Sequence, residues 1–218
     1  MFIGHFGVAM AAKKWAPKTS LPVLVLAGEF IDVLWPMMLI AGVEHVRIEP
    51  GLTPVTPLNF YNYPWTHSLL MVAVWAVLFS GIYFTVRRYR AGAIACGVLV
   101  LSHWFLDLIA HIPDLPLKPG ASGYYGLGLW QSRATTALVE GAIFAAGVWL
   151  YFSATRARAK GGRWGLWSFL VFLVVMYVLN IQGNPPPSVP VLAWSALVGT
   201  IILIAWAWWA ERGRVSAQ

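Results

Sequence analysis

Apolar residues in this chain fall into six long runs, roughly 20–42, 66–86, 91–112, 133–153, 164–182 and 190–210, separated by short polar stretches. A helix crossing a hydrocarbon core about 30 Å thick needs about 20 mainly apolar residues. Each run meets that length, so the pattern predicts six transmembrane helices. Residues 1–12, MFIGHFGVAMAA, are apolar but too short to span, and are expected to form a half-membrane or interfacial helix packed against the others. The expected fold is therefore all-α, a polytopic membrane helix bundle forming one domain over residues 1–218. No soluble domain or internal repeat is expected. Nor is a cleavable signal peptide, since Lys13 and Lys14 follow the first apolar run instead of preceding it.

Composition agrees with the pattern. The chain is 59% hydrophobic and only 11% charged, against about 25% charged in soluble domains. The net charge of +7 does not call for a nucleic acid. Its carriers cluster beside the apolar runs as Lys13/Lys14/Lys18, Arg87/Arg88/Arg90, Arg156/Arg158/Lys160/Arg163 and Arg212/Arg214. Alternating spans put all four clusters on one side. The positive-inside rule then expects a bacterial inner-membrane protein with both termini in the cytoplasm, touching anionic headgroups. The opposite side receives 43–65, 113–132 and 183–189, rich in Pro, Gly, Tyr and Asn and expected to be short rigid connections. The single cysteine, Cys96, lies in an apolar run. It excludes an intrachain disulfide and any multi-cysteine metal site, and reads as a buried, inert thiol.

Against this background, ionisable residues inside the runs stand out, because each is costly in a bilayer. His103, Asp107 and His111 in LSHWFLDLIAHIP are spaced i, i+4, i+8, which aligns them on one stripe of a helix. Counted from Arg90 at 1.5 Å per residue, they lie about 20, 26 and 32 Å from the basic side. Asp32 lies about 21 Å from Lys18, and His67 about 30 Å from Arg87. These five groups thus share the half of the membrane away from the basic side. His5 fits less easily, since a helix rising from Lys13 carries it only about 12 Å inward.

Other residues carry two readings each. Glu29 and Asp32 share a helical face and would repel unless a proton or cation holds them. Glu140 reads as a ligand, a general base or the partner of an outer Arg. Ser68 can bond a substrate oxygen or its own helix backbone. Asp114 is expected in a solvated turn between Pro113 and Pro116. Glu44, His45 and Arg47 are expected to be solvated or to gate the mouth of a site.

Imidazole and carboxylate without thiolate suit zinc, with manganese or iron as alternatives. Five or more such groups could hold two cations about 3.5–4 Å apart, an arrangement that clamps phosphoester displacement. A divalent metal lowers the pKa of its water, and a carboxylate that does not bind the metal, Glu29 or Glu140, could serve as general base.

Gly4-His5, the aspartate of GEFIDVLWP, Thr66-His67-Ser68 and His103-x3-Asp107 occur in order over residues 1–118. In these motifs the chain resembles the YdjM-like bacterial inner-membrane proteins, described as metal-dependent hydrolases and thought related to zinc-dependent phospholipase C and P1-type nucleases. The resemblance implies metal ligation by His5, Asp32, His67, His103 and Asp107. Two features depart from it. Val33 follows Asp32 where the family carries a histidine, and no Arg precedes Thr66 in YNYPWTHS. His111 is a candidate to replace the missing ligand. Residues 119–218 add three further transmembrane helices.

Three functions are consistent with the sequence. The first is a membrane-embedded metal-dependent hydrolase acting on a phosphoester or lipid-like substrate. The second is a proton- or metal-coupled transporter, although the last two spans carry almost no polar groups to complete a path. The third is a non-catalytic scaffold whose tryptophans pack against a partner.

Overall fold

The structure is a computed structural model that describes residues 1–158, 160–182 and 185–217, with the backbone alone for 160–162. Nine helices follow in order among the described residues: α1 Ile3–Ala11, α2 Leu21–Gly28, α3 Phe30–Ile40, α4 Pro64–His67, α5 Leu69–Arg87, α6 Arg90–Ala110, α7 Arg133–Ala154, α8 Lys160–Gln182 and α9 Val189–Glu211. Helices α5 to α9 are long and apolar enough to cross a membrane. Their outward faces are apolar and bare, as at Val77, Ile94, Leu138 and Trp149, each about two-thirds exposed or more. Such faces suit lipid, and the chain is built as a membrane protein.

The first expected span, 20–42, is not one helix. It breaks at Glu29 (φ −93°, ψ 3°) into α2 and α3, bent by 56° from each other, and the pair makes the count six if taken as one span. The run of apolar residues carries no sign of this bend. At the break Gly28 lets α1 approach closely, since a Cβ there would stand 3.1 Å from the Ala9 Cβ and 3.3 Å from the His5 carbonyl oxygen.

Helix α1 is short and packed against the others, as expected, and it is buried along its length between α7, α2 and α6. Lys13, expected among the headgroups, is buried as well. It donates to the Glu211 carboxylate at 2.5 Å and to the Thr19 carbonyl at 2.7 Å.

The bundle is helical with three small two-stranded antiparallel ribbons that the all-α expectation omits. Strands β1 (His45–Ile48) and β2 (Leu58–Asn62) fold the first outer connection into a hairpin. Strands β3 (Leu115–Pro116) and β4 (Tyr124–Tyr125) pair after α6, and β5 (Thr155–Ala157) pairs β6 (Arg214–Ser216) on the basic side. In NPPPSVP, residue 184 lies outside the described residues.

Candidate metal centre

Helix α6 presents His103 and Asp107 one turn apart, both buried. The remaining groups come from neighbouring elements: His5 from α1, Asp32 from the first turn of α3, and His67 from the single turn α4. Asp107 Oδ1 lies 3.1 Å from His5 Nε2, and Oδ2 lies 3.2 Å from His103 Nε2 and 3.7 Å from His67 Nε2. Asp32 Oδ1 stands 3.5 Å from both His67 Nε2 and His103 Nε2. The α-amino group of Met1 also donates to Asp107 Oδ1. Five groups expected from distant parts of the chain thus meet at one point.

His5 joins them despite its short reach. Depth counted from Lys13 assumes that Lys13 marks the membrane edge, whereas its ammonium is paired inside the protein. Lys13 thus gives no measure of the depth of α1, and the His5 ring stacks on His103 with centroids 3.9 Å apart.

Both inner imidazoles are held by their far nitrogen. At the break between α2 and α3 the Gly28 carbonyl accepts from His103 Nδ1 at 2.9 Å. Glu44 takes the Thr66 hydroxyl at 2.6 Å and the amides of Trp65 and Thr66 at 2.7 and 2.8 Å. A threonine hydroxyl has one proton, so its oxygen accepts from His67 Nδ1 at 2.8 Å. Each ring therefore turns its Nε2 to the carboxylates, and in the neutral ring that nitrogen carries the lone pair. Such orientation by an outer hydrogen bond is the usual support of a metal-binding imidazole.

Two imidazole lone pairs and two carboxylates facing one another repel unless a cation lies between them. His103 Nε2 is buried and has no hydrogen-bond partner although a carboxylate oxygen is 3.2 Å away, and His5 Nδ1 and Glu29 Oε1 are also unpartnered. Separations of 3.2–3.7 Å exceed the roughly 2.7–2.9 Å of a charge-assisted hydrogen bond. His5 Nε2 does bond Asp107 Oδ1 at 3.1 Å, whereas the Nε2 atoms of His67 and His103 face Asp32 and Asp107 without a hydrogen bond of that kind. Two triads, His5/His103/Asp107 and Asp32/His67/His103, each keep their ligand atoms within 4.8 Å of one another and can hold a metal ion.

His111 departs from the expected stripe. Helix α6 ends at Ala110, and His111 is its extended C-cap (φ −69°, ψ 152°). Its Nε2 is 3.9 Å from Asp107 Oδ2, and its Nδ1 meets the Asp114 carboxylate at 2.9 Å. Asp114 is therefore not a solvated turn residue: it also accepts from the Tyr63 hydroxyl at 2.8 Å. Burial, with the Asp114 carboxylate beside it, pushes the Tyr63 phenol well above its usual range, so Tyr63 stays a donor.

Three residues expected to be catalytic have separate fates. Ser68 caps α5, its hydroxyl accepting from the Met71 amide at 3.4 Å, which spends it on backbone. Glu140 pairs with no outer Arg. Its Oε2 accepts from the Phe2 and Gly4 amides at 2.9 and 3.4 Å and so caps α1, while Arg133 donates to the Pro54 carbonyl. Glu29, buried at the break, keeps an unpartnered Oε1 and lines the chamber described next.

The centre opens into a chamber of about 430 Å³ between α1, α3, α8 and α9, with Glu29, Asp32, His67, Asp107, His111 and Glu140 on its walls. A larger apolar groove of about 940 Å³, rimmed by Lys18, Arg87, Arg212 and Arg214, lies on the basic side and contains no His/Asp cluster.

Glu44 is the residue that sequence reading undervalued. It is 1% exposed rather than solvated, and its only signal was a carboxylate ahead of the Thr-His pair it supports. Thr66→Val should remove the Thr66 link while keeping the shape of the side chain. Losing an outer hydrogen bond to a ligand typically costs 10–100-fold in metal affinity, and competition with a chelator measures it. An unchanged affinity would show that the relay is structural only.

Comparison with protein-family models, curated proteins and solved structures finds no match to this chain.

Proposed function

We propose that the protein is a membrane-embedded, metal-dependent hydrolase of phosphoester or lipid-like substrates, seated in the bacterial inner membrane with both termini in the cytoplasm. The observation that carries the reading is the unpartnered, inward-aimed His103 Nε2 between Asp32 and Asp107. The resemblance to YdjM-like proteins belongs to this reading and rests on residues 1–118 alone.

The geometry favours one cation over two. Both triads use His103 Nε2, because its Nδ1 is committed to Gly28. One imidazole nitrogen has one lone pair and binds one ion. His103, Asp107 and Asp32 form the inner set, with His67 and His5 completing it. Zinc suits this donor set. When bound, the cation supplies Lewis acidity and lowers the pKa of a coordinated water.

The chain's own groups do the rest. Glu29 Oε1, unpartnered on the chamber wall, would take a proton from the attacking water as the water oxygen bonds to phosphorus, and return that proton to the ester oxygen as its bond to phosphorus breaks and the alcohol departs. Glu140 keeps α1, and with it His5, in place. Among the described residues no Lys or Arg lines the chamber, so beside the cation only the Met1 α-amino group, already paired with Asp107, offers positive charge to the phosphate.

Turnover of a chromogenic phosphoester by purified, zinc-loaded protein tests the proposal. Glu29→Gln should retain the metal and lose at least about 100-fold in kcat, as expected for a lost general base. Ion flux in proteoliposomes without any turnover would instead assign the cluster to transport.

A further inference from the structure

The chamber extends well past the His/Asp cluster. Beyond Glu140 its walls are Phe172, Met176 and Ile181 on α8, facing Ser195, Gly199 and Leu203 on α9. The α9 residues sit at i, i+4 and i+8 and share one face; on α8, Phe172, Met176 and Asn180 are spaced the same way, with Ile181 next to Asn180. The two helices touch towards the basic side, where Phe172 and Trp206 lie 4.7 Å apart and Trp206 Nε1 donates to Ser168 Oγ at 3.3 Å. Farther along, small residues line α9. A Cβ on Gly199 would meet nothing within 4 Å. Ile202 and Met176, both on the chamber wall, are 50% and 39% exposed. A slot thus runs from the centre between α8 and α9.

One end of this space carries carboxylates and imidazoles around a cation position. The other is apolar and uncharged, with only neutral polar groups such as Asn180 and Thr200. Its volume of about 430 Å³ falls within the 300–1,000 Å³ typical of ligand sites. An occupant matching both ends is an amphiphile, with an anionic head and a chain. Hydrocarbon in the slot exchanges lipid for protein, whereas a water-soluble ester would leave the slot to water against apolar walls.

We propose that the site takes a phosphate ester bearing a long alkyl chain, with its head at the His103/Asp107 cluster and its chain in the slot between α8 and α9. This inference rests on the metal-centre reading and names the substrate class of that site.

The probe is a dodecyl phosphate carrying a diazirine near the chain end, photolysed with zinc-loaded full-length protein in detergent and mapped by mass spectrometry. Labelling is expected on 172–181 of α8 and 195–203 of α9, and dodecanol bearing the same diazirine should label there at least five-fold less. Gly199→Trp, which fills open space, should cut the labelling at least five-fold while bound zinc and the melting temperature stay at wild-type values. Ser195→Trp is the second blocking variant should the first not fold. Labelling scattered over outer lipid-facing residues, equal labelling by the alcohol, or undiminished labelling in a folded blocking variant would each overturn the proposal. Absence of bound zinc in the wild type would overturn the metal reading with it; bound zinc with misplaced label overturns the chain slot alone.

Discussion

Asp107→Asn should abolish stoichiometric metal binding. The wild-type protein should retain close to one zinc per chain after dialysis, and the variant should bind at least about 100-fold more weakly, or about 2.7 kcal/mol. Among the described residues no other carboxylate reaches so many of the groups at the centre. The Asp107 carboxylate faces His5, His67, His103 and His111 within 3.1–3.9 Å and accepts from the Met1 amino group. Asparagine preserves its shape and removes both the charge and one acceptor oxygen.

The competing account is a protonated His103 paired with Asp32 and Asp107 and no metal. It predicts a wild type free of zinc, and a large loss of stability in the variant, because a buried charge would lose its partner. Elemental analysis beside thermal melting of both proteins separates the two. A metal-replete Asp107→Asn would show that the carboxylate is not a ligand.

The sequence made the span lengths legible because lipid imposes them: helices α5 to α9 start and stop within a few residues of the apolar runs. It also exposed His103 and Asp107, since a helical period carries side-chain direction and costly residues in a span are conspicuous. What it hid depends on contacts across the fold. Hydropathy cannot register the break at Glu29, because both halves are apolar. His111 followed the period on paper, yet α6 ends one residue earlier. Glu44 looked solvated in the first outer connection, and only the return of α4 beneath it supplies the amides and hydroxyl that bury it. Depth counting failed for His5 because it treated Lys13 as a surface marker, whereas Glu211, almost two hundred residues away, draws it inside.

Helix α1 therefore bears on the chemistry through its packing, and this makes Gly147 the most sensitive position outside the centre. A Cβ at Gly147 would run into the backbone of Gly7, and a Cβ at Gly7 would stand 2.7 Å from the Phe144 Cα and 2.8 Å from the Ile143 carbonyl oxygen. Backbone cannot swing aside as a side-chain tip can, so α1 must move away from α7. Small residues that allow such close approach drive helix association in lipid, where hydrophobic burial contributes little. Movement of α1 also draws the Phe2 and Gly4 amides off Glu140 and shifts His5 from Asp107. Gly147→Leu should destabilise the protein by roughly 3 kcal/mol or more, the range of overpacked cores, and lower zinc affinity at least ten-fold. Gly141 on the same helix is the matched control: a Cβ there meets nothing within 4 Å. Gly141→Ala should hold or raise the melting temperature, since alanine favours helix by up to about 1 kcal/mol, and should leave bound zinc unchanged. Equal melting temperatures and zinc contents for Gly147→Leu and Gly141→Ala would mean that α1 is free to shift without disturbing the centre, and that His5 is not held there by α7.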